Sequence, residues 1–134
     1  MAFVSTVLVR FGDVDAAAIV FYPRYFEMLN GAVEDWFAQM GFDFHRMHTE
    51  LRIGIPTVKL TSEFLAPSHL GEKLAIEIAP HPPGRSSCAF DFRFSGDDRD
   101  RLRGSAVLVC MNLTTQASMP WPEELRSRLV AAGV

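Results

Sequence analysis

Two carboxylates, Asp13 and Asp15, stand one residue apart in the stretch RFGDVDAAAIVFYPRYF, residues 10–26, and small and apolar residues follow at once. From Pro23 the chain takes on helical periodicity. The first turn of a helix carries backbone N–H groups without intrahelical acceptors and a partial positive charge. Such an end can hold an anion or a developing oxyanion. A carboxylate facing it suits acyl transfer: the acid attacks a carbonyl or activates water while the N–H groups polarise that carbonyl. The same residues have a plainer use, in which both aspartates accept N–H groups of their own turns. Composition alone leaves both open.

Other candidates carry less. His45 and His48 are three apart with Glu50 nearby. That spacing allows a metal, but an exposed pair at a helix end or in a loop is commoner, and no metal is expected. His69 and His81 fall in turn-like contexts. GRSSC, residues 84–88, holds two serines without a marked partner histidine, and the chain has no GxSxG, P-loop or GxGxxG. Serine-hydrolase chemistry is therefore not expected. Arg85, Ser86 and Ser87 could hold a phosphate, since a guanidinium fits one bidentately and hydroxyls add donors; a solvated turn explains them equally well. RDRLR, residues 99–103, is a second basic run, whose interleaved aspartates favour a hairpin turn.

The elements that must position these groups read as follows. FVSTVLVRF, residues 3–11, is rich in β-branched residues and predicts a strand, with a loop over 12–18. Phe26, Leu29, Val33, Trp36, Phe37 and Met40 recur at spacings of three and four, giving a helix with one apolar stripe. Pro23 suits its first turn and Gly41 its end. About 17 residues make it roughly 25 Å long. Four strands should follow. PTVKLTSEFLAP sets Val58, Leu60, Ser62 and Phe64 against polar neighbours, KLAIEIAP sets Leu74, Ile76 and Ile78, and CAFDFRFSG sets Phe90, Phe92 and Phe94. Each has period two, with one face buried. GSAVLVCMNL is more uniformly apolar, as an internal strand would be. WPEELRSRLVAAG predicts a short terminal helix. The class is α+β: an antiparallel sheet of about five strands wrapped around one long central helix, in a single domain over 1–134. The phenylalanine row could pack on the helix or on a second subunit. A thin two-layer domain leaves its other sheet face to be covered, so an oligomer is expected.

Whole-chain properties bound the function. With 134 residues, 49% hydrophobic and 22% charged, the chain can bury a small core and is not of disordered composition. A net charge of −3 gives no basic face for nucleic acid. Cys88 and Cys110 read as reduced, buried thiols. No signal-peptide pattern and no stretch of membrane-spanning length is seen, so a cytoplasmic protein without membrane contact is expected.

FGDVDAAAIVFYPRYFEML also resembles the opening motif of the 4-hydroxybenzoyl-CoA thioesterase family of hotdog-fold proteins. That motif has an acidic pair separated by one residue, a small-residue turn, an apolar trio with an aromatic, then Tyr, then Pro or a polar residue, and an aromatic in the next helix turn. The match is dense over 11–26, and the element order agrees over most of the rest. The resemblance implies an acyl-CoA thioesterase releasing free acid and CoA, with no cofactor beyond the coenzyme A of its substrate. It implies that Asp15 is the catalytic carboxylate, as nucleophile or general base, that Asp13 supports the turn, and that the Tyr22 backbone N–H polarises the thioester carbonyl. Ile19, Phe21, Asn30, Ile55 and Thr57 would line the acyl pocket. Arg85, Ser86 and Ser87 would bind the CoA phosphates, with pockets at subunit interfaces of a homodimer or a dimer of dimers, that is, a homotetramer. The 4-hydroxybenzoyl-specific relative has an acid where Asn30 stands and a hydroxyl where Ile55 stands, which implies a less polar acyl group, aromatic or short aliphatic. Many relatives have glycine at Ala18; if φ is positive there, alanine is strained, and a slightly adjusted turn is the expected remedy. A non-catalytic acyl-CoA-binding module and a hotdog dehydratase are the alternatives. The dehydratase is disfavoured because no histidine occurs in residues 1–44.

Overall fold

In a computed structural model, which describes residues 2–134, strand β1 (Phe3–Leu8) leads through a 3₁₀ turn (Phe11–Asp13) into the long helix α1 (Tyr22–Gln39). A π-helical turn (Arg46–Leu51) and the short strand β2 (Ile53–Gly54) follow. Next come β3 (Thr57–Phe64), β4 (Lys73–Pro80), β5 (Ser87–Gly96), β6 (Arg99–Val109), the short β7 (Met111–Asn112) and helix α2 (Glu123–Ala132). The five long strands form one sheet in the order β1-β4-β5-β6-β3, every neighbouring pair antiparallel.

The sheet wraps α1 because alternate residues of its strands are apolar and point one way. Leu74, Ile76 and Ile78 of β4, Phe90, Phe92 and Phe94 of β5, and Leu102, Ala106 and Leu108 of β6 are buried, as are Tyr25, Leu29, Val33, Trp36 and Phe37 of the helix. The phenylalanine row meets the helix: Phe94 lies edge-on to Tyr25 at 5.5 Å and Phe90 edge-on to Trp36 at 6.0 Å between ring centroids. Each such aromatic contributes roughly 2–3 kcal/mol by leaving water. Helix α2 closes the far end with Leu125 and Leu129 buried.

Four expectations change. Strand β1 stops at Leu8, two residues before the 3₁₀ turn, because Val9 turns to donate its N–H to the Glu72 carbonyl (2.8 Å). RDRLR is strand: the hairpin turn is Asp97–Asp98, both at positive φ, and Arg101 points inward at 4% exposure. The alternation in β3 is real, but the strand is an edge that α1 does not cover, so Val58, Leu60 and Phe64 remain 60%, 41% and 50% exposed. The outer sheet face, expected to need cover, carries charges that pair with one another: Arg93 meets Glu77 at 3.4 Å and Asp100 at 3.1 Å, and Arg103 meets Glu63 at 3.0 Å. The reason to expect a partner thus moves from that face to the β3 edge.

Candidate active site

The Asp15 loop is a pinched antiparallel ladder. The Asp13 carbonyl accepts the Phe21 N–H (2.9 Å), Val14 pairs with Val20, and the Asp15 N–H donates to the Ile19 carbonyl (3.0 Å). The Asp13 carboxylate accepts the Arg10 N–H (2.8 Å) and so is used by its own turn. Asp15 is exposed; its Oδ1 accepts the Ala17 N–H (2.8 Å), and its Oδ2 has no partner among the described residues. The turn between the rungs places Ala18 at φ 63°. It keeps the left-handed geometry instead of adjusting away from it, which costs an alanine about 1 kcal/mol.

The start of α1 leaves backbone N–H groups open, as a helix N-terminus does. Phe21 caps it without a side-chain bond, Pro23 has no N–H, and the Arg24 N–H goes to the Phe21 carbonyl (2.8 Å). The Tyr22 N–H is left without an acceptor among the described residues. The ladder rises about 3.3 Å per residue, so Asp15 lies on the order of 7 Å out from the Phe21 rung, on the same loop as that donor.

A second loop holds the first. The Ser68 carbonyl accepts the Val20 N–H (2.9 Å), its hydroxyl meets the Tyr25 hydroxyl (2.9 Å), and His69 bridges to Ile19. Arg101 anchors this loop: Nη1 and Nη2 donate to the two Glu72 oxygens (3.1 and 2.8 Å), Nη1 also to the Pro67 carbonyl and Nη2 to the Gly96 carbonyl. The Arg101 bonds, with the His69 N–H, hold the Glu72 carboxyl at about 2. Ser68, Glu72 and Arg101 are site-supporting residues that sequence reasoning missed. Arg101 lies in the run that reads as a basic candidate or a hairpin turn, and nothing local in sequence pairs it with a glutamate 29 positions away.

Away from this loop, a cavity of about 470 Å³ opens between α1 and the β3–β6 side of the sheet. Asn30, Ile55 and Thr57 line it, with Phe26, Val33 and Phe90 among the apolar wall. His48 lines it as well and was not foreseen, because the π-helical turn that carries it inward has no sequence signature. Ile19, Phe21 and Asp15 do not line it: Ile19 is half-buried against His69, and Phe21 is exposed at the helix cap. Asn30 is eight residues along the helix from Tyr22, about 12 Å. A groove of about 560 Å³ on the outer face is lined by Glu63, Glu77, Asp91, Arg93 and Arg103, whose charges largely answer one another, with Ala79, Phe92 and Gly104 between them.

The Arg85 turn lies at the cavity's end of the sheet, since Cys88 pairs with the cavity residue Leu108. Helix α2 and the residues before it fix the turn. The Trp121 N–H donates to the Arg85 carbonyl (3.1 Å), the Trp121 indole N–H to the Ser87 carbonyl (3.1 Å), and Arg126 to the Gly84 carbonyl (2.7 Å). The Ser86 carbonyl accepts the Cys110 N–H (2.8 Å), and the exposed Arg85 guanidinium has no partner among the described residues. Burial pushes the Cys88 and Cys110 thiols up to about 11, so neither is a nucleophile at neutral pH. Among the described residues no three His, Cys, Asp or Glu side chains gather in metal-binding geometry.

One chain therefore presents the predicted residues in two places: Asp15 and the Tyr22 N–H at the start of α1, and the cavity with the Arg85 turn at the opposite end of β3. Comparison with known proteins shows what this framework belongs to. The profile of the thioesterase-like superfamily matches residues 9–129. The chain is 25% identical over 123 residues to a 1,4-dihydroxy-2-naphthoyl-CoA hydrolase of Synechococcus elongatus, covering 91% of this chain and 90% of that protein. It superimposes on a gentisyl-coenzyme A thioesterase with a TM-score of 0.84 at 29% identity, covering 92% and 99% of the two chains. The fold is also that of a 1,4-dihydroxy-2-naphthoyl-CoA thioesterase from Synechocystis, with a TM-score of 0.87, 20% identity and 96% of each chain covered. The chain belongs to the thioesterase-like superfamily, and it is a hotdog-fold acyl-CoA thioester hydrolase.

Proposed function

We propose that the protein hydrolyses an aromatic acyl-CoA at a site shared by two copies of the chain, one supplying Asp15 and the Tyr22 N–H and the other the acyl cavity and the Arg85 turn. The observation that carries this reading is β3. Its outer edge has unpaired backbone groups and an apolar row, which invites pairing with another strand. Antiparallel pairing of two β3 edges about a two-fold axis is self-complementary. It sets Phe64 of one copy against Thr57 of the other. Phe64 lies edge-on to Tyr22 (6.2 Å between ring centroids), and Thr57 lines the cavity, so the two half-sites meet. A homodimer is the smallest assembly that completes the site, and a tetramer would be a pair of such dimers.

In the joined site the thioester carbonyl oxygen accepts the Tyr22 N–H, which steadies the negative charge that develops there. The free Oδ2 of Asp15 has two available roles. It can attack the carbonyl carbon, expelling CoA as thiolate and leaving an acyl–aspartyl anhydride that water cleaves; or it can take a proton from the water that attacks. Both routes end in free acid and CoA and need only substrate and water. Arg85, Ser86 and Ser87 face the CoA phosphates from a turn already fixed, so little ordering is needed on binding. The cavity wall of Phe26, Val33, Phe44 and Phe90 suits a ring, and the acyl groups named for the relatives are aromatic. A short aliphatic group would fill it less well. A CoA substrate and two unpaired buried thiols fit a cytoplasmic enzyme.

The test is thiol release across aromatic, short-chain and long-chain acyl-CoAs. Asp15→Asn is expected to lower turnover of the best substrate by about 10³-fold, and turnover equal to the parent's would contradict the assignment. Single turnover in ¹⁸O-water tests the first route: label in Asp15 means attack by the carboxylate.

A further inference from the structure

The acyl cavity carries one titratable side chain that thioester cleavage leaves unused, His48. We propose that His48 is a specificity-determining residue that accepts a hydrogen bond from a hydroxyl on the ring of an aromatic acyl group. The proposal rests on the cavity being the acyl site, as argued above.

The geometry fixes which nitrogen does what. Nδ1 lies 2.6 Å from the Phe44 carbonyl oxygen. A carbonyl oxygen only accepts, so in the neutral ring the proton is on Nδ1 and Nε2 holds a lone pair. The Phe44 ring packs edge-on against the imidazole at 5.3 Å, which holds the ring plane from a second side. Nε2 has no partner among the described residues. It faces the bare backbone of Gly54, 3.8 Å from where a Cβ on that residue would sit, and Gly54 and His48 line the same cavity. The side chain is half-buried in a wall otherwise made mainly of Phe26, Leu29, Val33, Phe90 and Leu108.

An acceptor held in an apolar wall favours a ligand that brings a donor and leaves itself unpaired beside one that does not. The other polar groups there, Asn30 and Thr57, can each donate or accept, so they do not distinguish the two. His48, with its tautomer fixed, does. The ligand class it selects is a hydroxyaryl-CoA over the unsubstituted aryl-CoA and over the methoxy analogue, which can only accept.

The experiment measures kcat/KM for 2-, 3- and 4-hydroxybenzoyl-CoA, the matching methoxybenzoyl-CoAs and benzoyl-CoA, in the parent, His48→Leu and His48→Gln. The parent should prefer at least one hydroxylated isomer over both its methoxy analogue and benzoyl-CoA by about ten-fold or more. That ratio should fall to near one in His48→Leu and return in part in His48→Gln, whose amide oxygen can take the place of Nε2. A ratio that survives His48→Leu, including one in which all rates fall together, overturns the proposal, as does a parent that does not distinguish hydroxyl from methoxy. A parent that cleaves aliphatic but no benzoyl thioesters overturns the aromatic reading of the cavity itself, and this proposal with it.

Discussion

Ala18 holds a left-handed backbone so that Asp15 can take the Ala17 N–H and the loop can close on Ile19. The strain is confined to one residue, and glycine relieves it. Ala18→Gly should stabilise the fold by about 1 kcal/mol, which raises Tm by about 3–5 °C for a domain of this size. Thermal unfolding checks this, and an unchanged or lower Tm would show that the loop does not need the left-handed turn. At this scale the sequence was informative about type and silent about direction. The Asp-x-Asp spacing and the Pro23 signal locate the carboxylates and the helix start. That Asp13 serves its turn while Asp15 keeps a free oxygen depends on which N–H groups the ladder brings near.

Between elements, the contact that matters most for the Asp15 loop is made by the connection between β3 and β4. Residues 65–72 carry Ser68 and His69 against Val20 and Ile19, and the Arg101–Glu72 pair fixes that connection to β6. The Glu72 carboxyl sits at about 2 in place of the usual 4.5. Because the folded value is the lower one, the pair's contribution is complete above about pH 4.5 and is lost as pH falls towards 2. Glu72→Gln leaves Arg101 buried without its counter-charge and should cost about 3 kcal/mol at neutral pH. Its stability should also fall less steeply than the parent's between pH 4.5 and 2. Urea unfolding at stepped pH measures both, and parallel pH profiles would contradict the role given to Glu72. Patterning, with composition, located the long helix and all five sheet strands, although β6 begins at Arg99, inside the run read as a turn, and the apolar row of β3 stays exposed. It missed β2 and the π-helical turn, which are too short to show a period, and it ran β6 and β7 together as one strand. It also missed the Arg101–Glu72 pair, which arises only when β6 folds beside the turn before β4.

At the scale of the molecule, the separation of Asp15 from the cavity is the decisive feature. Within one chain Asn30 of the cavity stands about 12 Å along α1 from Tyr22, Asp15 does not line the cavity, and the uncovered β3 edge offers a way to join the two across two chains. The period-two pattern of Val58, Leu60, Ser62 and Phe64 was legible as a strand with an apolar face. That this strand stands uncovered at the sheet edge depends on strand order, which no local pattern carries. The most direct test is complementation. Asp15→Asn removes the carboxylate and keeps the cavity; Asn30→Trp fills the cavity and keeps the carboxylate. Each variant alone should be nearly inactive in thiol release. Unfolded together and refolded at equal concentration, they should form mixed dimers in which one of the two sites is intact, recovering about a quarter of the parent's activity. No recovery above the two variants measured separately would place the whole site within one chain and contradict the shared-site account.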